Sequence, residues 1–253
     1  MTVDKLKKLI GQLRKDCVRE MAAVLETVEA LVPVEPAESR VVLHNLSWET
    51  YEALLADLED CSAPRLTYDR GELEIMSPGL KHELTNEAVK LLLSALGEEW
   101  NLDILGAGST TFKRKTFKRG FEPDSCFYLK HAPHIRDKDR IELLVDPPPE
   151  LIVEIEITSS AIKKFPLFAK LGVPEVWRYD GKRVTIHRLK GEAYFQQEHS
   201  HALPRLTGEI ITTFLHESST LDRPAWLRNI RKWARAALQV KQAKKANKPN
   251  KVR

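Results

Sequence analysis

Residues 151–157, Leu-Ile-Val-Glu-Ile-Glu-Ile, set two carboxylates two positions apart inside an otherwise apolar, β-branched run. Side chains alternate between the faces of a strand, so Glu154 and Glu156 share one face while Leu151, Val153, Ile155 and Ile157 cover the other. Two ionised carboxylates one pleat apart repel each other, and burying even one unpaired charge is costly. Such a face needs a metal ion, a lysine or arginine partner, or a shared proton; the plain alternative is a face that meets solvent or a pair of arginines. Hard carboxylate oxygens favour Mg2+ or Mn2+ over zinc. Asp124 follows Pro123 at the start of another apolar run, as a further acidic ligand or as a simple turn residue. Lys163 and Lys164 come soon enough after the acidic strand to swing back over it, or to lie on an exposed helix face. His82 and Glu83 sit at the opening of a helical stretch, where a histidine serves in capping and packing as readily as in chemistry.

The elements that must position these groups can be read from spacing. Residues 151–157 form a buried, central strand, because their apolar character is continuous. Residues 65–76 give two alternating runs around Asp69-Arg70-Gly71, a hairpin signature. Ser77-Pro78-Gly79 breaks the chain before helical spacing from Lys81 to Trp100, which places His82 and Glu83 in a first turn. Ser47 caps a helix running to about residue 60. Short strands are predicted near 102–105, 109–117 and 124–129, then a charged, proline-rich loop over 131–149. A helix over 160–171 ends at Gly172, and strands follow over 175–180, 183–189 and 193–198. An amphipathic helix over 4–31 precedes all of this. Another, from about 221 to 240, puts Trp226, Ile230, Trp233 and Ala237 on one face. This order gives an α/β fold with a mixed sheet and flanking helices.

Composition bounds the function. The chain of 253 residues has 40 Lys+Arg against 36 Asp+Glu, a net charge of +4, but the distribution is uneven. No acid follows Asp222, and residues 223–253 hold 11 Lys+Arg, leaving 29 basic and 36 acidic groups before them. An acidic body with a basic tail points to a polyanion partner. Residues 113–115 and 118–119 add a second basic segment. At 42% hydrophobic residues the chain can bury a core. No apolar run is long enough for a membrane span, and the first residues carry charge without an apolar signal core. Cys17, Cys61 and Cys126 form neither a disulfide framework nor a metal pair. A cytoplasmic location is expected.

Taken together, Gly71-Glu-Leu-Glu-Ile-Met-Ser-Pro78 with His82, Pro123-Asp124, Glu154-Ile-Glu156 and Gly172-Val-Pro-Glu-Val-Trp-Arg-Tyr-Asp180 resemble the PD-(D/E)XK nuclease superfamily. Within it they resemble the Uma-type restriction endonuclease family, long catalogued as a domain of unknown function. The resemblance runs from about residue 41 to 215. It implies a restriction-endonuclease-like mixed β-sheet core over residues 41–216, with an N-terminal helix and linker over 1–40 and a basic helix and tail over 217–253. It further implies a Mg2+- or Mn2+-dependent endonuclease that hydrolyses phosphodiester bonds in DNA. Asp124, Glu154 and the Ile155 carbonyl would hold the metal, and Lys164 would stabilise charge building on phosphorus. Glu156 would be a third ligand or a partner for Lys164, and His82 or Glu83 would complete the metal shell through a water. Two features depart from the pattern. Glu156 stands where the superfamily has its lysine, so the family's helix-borne lysine maps best onto Lys164. Thr158-Ser159-Ser160 replaces a frequent Ser-Pro-Ser turn.

Two other functions compete. One is a nuclease-fold module that binds nucleic acid without cutting it, motivated by Glu156. The other is a carboxylate-pair glycosidase, which Glu154 and Glu156 serve poorly because such enzymes place acids on either side of the bond. A homodimer is also expected, since cutting both strands suits two copies and the N-terminal helix offers a pairing surface.

Overall fold

A computed structural model describes residues 38–246 except 60, 62 and 159–161. The predicted helix over 4–31, residues 247–253 and the Ser159-Ser160 turn lie outside the described residues. All described residues belong to one unit, Ala37–Arg253.

The first half builds an antiparallel sheet. Strand β1 (Glu38–Leu43) leads to helix α1 (Trp48–Asp57), whose first turn is capped by Ser47 accepting from the Thr50 N–H at 3.0 Å. Strands β2 (Arg65–Asp69) and β3 (Glu72–Pro78) form the expected hairpin. Its two turn residues, Arg70 (φ 50°) and Gly71 (φ 104°), take the left-handed conformations that a two-residue hairpin turn demands. Helix α2 (Leu80–Trp100) follows, then β4 (Leu105–Gly106). The predicted strand over 109–117 is instead β5 (Phe112–Arg114), a single 3-10 turn, and β6 (Arg119–Phe121). Lys118 at φ 47° reverses the chain between them, which a continuous strand cannot accommodate. The order of this sheet is β1-β3-β2-β6-β5.

The second half, with β4 at one edge, builds a six-stranded mixed sheet, β11-β10-β9-β8-β7-β4. It contains β7 (Ser125–Tyr128), β8 (Leu151–Ile155), β9 (Glu175–Tyr179), β10 (Val184–Lys190) and β11 (Ala193–Gln197). A short helix α3 (Ala132–Ile135) interrupts the loop before β8, and α4 (Lys164–Lys170) crosses from β8 to β9. Strands β8 and β9 run parallel, as a helical crossover requires; the other neighbours are antiparallel. The mixed sheet expected from the element order is this six-stranded one, and the five-stranded antiparallel sheet accompanies it; the chain passes between the two through α2 after β3, between β4 and β5, and at Glu122-Pro123-Asp124 between β6 and β7.

Strand β8 is buried along its whole length, which is why it reads as a continuous apolar run. Leu151, Val153 and Ile155 join a core with Leu92 and Leu96 of α2, Trp177 of β9, and helices α5 (Gly208–Ser218) and α6 (Arg223–Ala246). Ile152 belongs to a second core, on the other face, with Leu167 and Phe168 of α4. By strand parity Glu154 follows Ile152 toward α4. Among the described residues no helix is long and apolar enough to cross a membrane.

Helix α5 is capped by Thr207, and Gly208 lies against β10 so closely that an added Cβ would collide with the Val184 carbonyl oxygen. Because that oxygen belongs to a strand backbone, it has little room to give. Gly208→Ala is expected to cost ~1–3 kcal/mol, the usual penalty of overpacking, read as a lower midpoint in thermal or urea unfolding. An unchanged midpoint would mean that the α5–β10 contact is loose.

Candidate active site

Four elements converge where the chain passes from one sheet to the other. Asp124 is held at the start of β7, with Pro123 before it, and is 1% exposed. Its Oδ2 accepts the Ile155 N–H at 2.7 Å, which ties it to the end of β8. Its Oδ1 accepts from Arg65 Nη1, at the first residue of β2, and lies 3.2 Å from His82 Nε2. His82 and Asn86 are four residues apart on α2 and so share one face. Asn86 Nδ2 donates to the Asp124 carbonyl at 3.0 Å, and its Oδ1 accepts from Ser125 Oγ at 2.7 Å. Glu154 is fully buried on β8. Lys164, the first residue of α4, donates from Nζ to Glu154 Oε2 at 2.5 Å. Lys163 beside it is exposed, so the turn of the chain selects Lys164 as the inward lysine.

The remaining predicted residues divide. Glu83 Oε1 accepts from Arg65 Nη2 at 2.9 Å and stands half-exposed at the rim. Glu156, just past the end of β8, accepts from Arg178 Nε at 2.6 Å, while Lys164 serves Glu154. Arg178 lies opposite Glu154 in the β8–β9 register. The two glutamates thus have separate cations: a lysine from the crossover helix and an arginine from the neighbouring strand.

Sequence reading missed a buried ring beside the site. Glu38 Oε2 accepts from Arg40 Nη2 at 2.8 Å, and Arg40 Nη1 reaches Glu74 Oε1 at 2.6 Å. Glu38 also accepts the main-chain N–H of Ile157 and of Thr158, which fixes the chain as it leaves the acidic strand. A signal was available for Glu74 and Arg65. Both are charged residues that the hairpin buries, Arg65 beside Leu66 and Glu74 beside Leu73. Nothing local marks Glu38 and Arg40.

The electrostatics follow from burial and neighbours. Burial pushes the Asp124 carboxyl up, but contact with His82 and the charges of Lys164 and Arg65 outweigh it and hold it down at about 2. Burial also pushes Glu154 up. There the opposing pull of Lys164 is offset by repulsion from Asp124 and Glu156, and the carboxyl rises to about 7. For Lys164, burial lowers the ammonium while Glu154 and Asp124 raise it; the carboxylates win. Among the described residues, the acids Glu83, Asp124 and Glu154 face the cations Arg65 and Lys164 at the site, a negative excess of one before His82 is counted.

That excess and the donor chemistry fit a divalent cation. Glu154 Oε1 is buried with no hydrogen-bond partner, an open carboxylate oxygen in a site of excess negative charge. Among the described residues no group of three or more His, Cys, Asp or Glu side chains gathers to hold a metal. Two carboxylates are nevertheless enough for Mg2+, which keeps several waters and completes its shell with substrate phosphate.

The basic segments are partly engaged within the protein. Lys113 pairs with Glu52 at 3.2 Å, Arg114 donates to the Leu143 carbonyl, and Arg119 pairs with Asp69 at 2.9 Å; Lys115 and Lys118 are exposed. On α6, Arg231 and Arg235 bind Glu98 and Glu99 of α2 at 2.9 and 2.7 Å. Trp226 is buried and donates to the Phe214 carbonyl at 2.8 Å. The face of α6 bearing those two arginines therefore clamps the helix to the body, and these two of the eleven basic groups in residues 223–253 are engaged within the protein.

Comparison with known proteins bears on what this geometry serves. No curated protein matches the chain. Among solved structures, one described as "a putative nuclease belonging to DUF820 from Anabaena variabilis ATCC 29413" is similar at 16% identity and a TM-score of 0.41, over 60% of this chain and 92% of that one. The family model described as "Putative restriction endonuclease" (Uma2) matches residues 48–215, a span that includes Arg65, His82, Asp124, Glu154 and Lys164. The chain belongs to the Uma2 restriction endonuclease family.

Proposed function

We propose that this protein is a Mg2+- or Mn2+-dependent endonuclease that hydrolyses phosphodiester bonds in DNA. The observation that carries the reading is the junction of Asp124, Glu154 and Lys164: two buried carboxylates and a buried lysine, one carboxylate oxygen left open. Asp124 and Glu154, with the Ile155 carbonyl, are the residues that would hold the cation. Once bound, a divalent cation supplies Lewis-acid stabilisation of phosphoryl oxygen and a bound water of lowered pKa. The chain's own residues do the rest. Lys164 is fixed by Glu154 with its ammonium charged and offers positive charge where a phosphoryl group gains negative charge. Asp124 is held rigid by the Ile155 N–H and stays ionised throughout the neutral range. Arg178 keeps Glu156 engaged with β9. Substrate reaches the site from the Glu83 rim, where the buried network meets solvent. A cleft of about 850 Å3 also borders Arg65 and carries the exposed Lys115.

Supercoiled plasmid incubated with the protein tests the reading. Nicking is expected with Mg2+ or Mn2+, none with chelator, and none from Glu154→Gln. Cleavage that persists in chelator would overturn the metal requirement. Salt-sensitive DNA binding with no cleavage under any metal would favour a module that only binds.

A further inference from the structure

Arg65 is bonded directly to an acid that would hold the metal, a contact that metal coordination does not account for. Its side chain is buried, Nη1 bonds Asp124 Oδ1, Nη2 bonds Glu83 Oε1 at 2.9 Å, and Nε is buried with no hydrogen-bond partner. Asp124 Oδ2 is committed to the Ile155 N–H, a main-chain donor fixed by β8 that has no freedom to withdraw. Oδ1 already carries Arg65 Nη1 and has His82 Nε2 at 3.2 Å, so a cation that takes Asp124 as a ligand meets a guanidinium bonded to the same carboxylate. Two cations bonded to one buried carboxylate repel each other, so each weakens the other's hold. The guanidinium has somewhere to go. Glu83 already holds its other arm at the solvent rim, and the unpaired Nε places no restraint on a pivot toward it.

We propose that Arg65 is a built-in competitor for the metal: guanidinium and divalent cation compete for the Asp124 carboxylate, with Glu83 retaining the displaced arm. The inference rests on the metal-dependent reading above and adds to it a residue that sets how tightly the cation binds. Competition lowers the apparent metal affinity of the site and couples cation binding to movement of a positive charge to the rim.

Calorimetric titration of the full chain with Mn2+ tests this without any cleavage assay. Arg65→Met is expected to bind Mn2+ about tenfold more tightly or better, at the scale by which residues supporting metal ligands alter affinity. Arg65→Lys, which keeps charge but lacks the second arm, falls between Met and wild type. Arg40→Met is the control for a general change of field, since Arg40 pairs with Glu38 and Glu74 and feels Asp124 only through space. It should change affinity much less. If Arg65→Met binds no more tightly than wild type, or Arg40→Met gains as much, the inference is overturned while the metal reading stands. Absence of Mn2+ binding in wild type and Arg65→Met alike overturns both. Should Arg65→Met fail to fold, as judged by circular dichroism, the same comparison is read from Arg65→Lys: tighter than wild type supports competition, equal or weaker defeats it.

Discussion

Asp124→Asn is expected to lower metal-dependent cleavage by about a thousandfold while DNA affinity measured in chelator stays close to wild type. The magnitude follows from the several kcal/mol that a bound cation contributes to a transition state, at about 1.36 kcal/mol per decade of rate. Asparagine matches the volume of aspartate but not its pattern of acceptors. Both Asp124 oxygens receive donors, the Ile155 N–H on one side and Arg65 on the other. An asparagine must turn its NH2 toward one of these, donor against donor, and cannot supply an anionic oxygen to a cation in either orientation. The substitution therefore removes the ligand and disorders the group that fixes it. DNA binding in chelator separates this loss from a failure to hold substrate. Retained cleavage, within about tenfold of wild type, would move the chemistry away from Asp124 altogether.

How much of this arrangement was legible depended on whether each contact is local. Glu154 and Lys164 lie ten residues apart across one strand-to-helix crossover, and strand parity with a short turn is enough to bring them together. Pro166, tolerated only in the first turn of a helix, even marks where α4 begins, four residues later than spacing alone predicted. Asp124 was legible as an acid after proline at a strand start, though its bond to the Ile155 N–H was not. Arg65, Glu38 and Arg40 were invisible for a different reason. Arg65 meets Asp124 across 59 residues and Glu38 meets Ile157 across 119, pairings that only the packing of two sheets creates. Helix α5 was hidden by composition. Ile210, Ile211, Thr212 and Thr213 in sequence read as strand formers, yet Thr212 and Thr213 bond back to carbonyls four residues earlier and Thr212 also accepts the Val184 N–H. The basic C-terminal helix adds contacts of the same long-range kind. Its arginines read as a surface for polyanions, and Glu98 and Glu99 of α2 pair with two of them.

The second large effect concerns stability. Lys164→Met is expected to destabilise the fold by ~3–5 kcal/mol at pH 8, the cost of leaving a buried charge without its partner. Glu154 Oε1 has no hydrogen bond already, so losing Lys164 strips the carboxylate of its remaining donor. The loss should depend on pH. A carboxyl whose folded pKa lies above its unfolded value holds a proton in the folded state that the unfolded chain has released. Stability then falls as pH rises between the two values. In the wild type that window runs from about 4.5 to about 7, set by burial and by repulsion from Asp124 and Glu156 against the pull of Lys164. Without Lys164 the upper edge moves higher, so Glu154 takes up a proton and most of the penalty disappears at pH 5. Asp124 acts in the opposite sense, its contribution being lost only as pH drops from 3.8 toward about 2, well clear of this range. Glu154→Gln in the same chain should recover most of the loss at pH 8, because a neutral amide needs no counter-charge. Urea unfolding of wild type, both single variants and the double variant, in chelator at pH 5 and pH 8, closes the cycle. Equal destabilisation by Lys164→Met at the two pH values, or no recovery in the double variant, would mean that the lysine supports the fold through packing and not through the charge of Glu154.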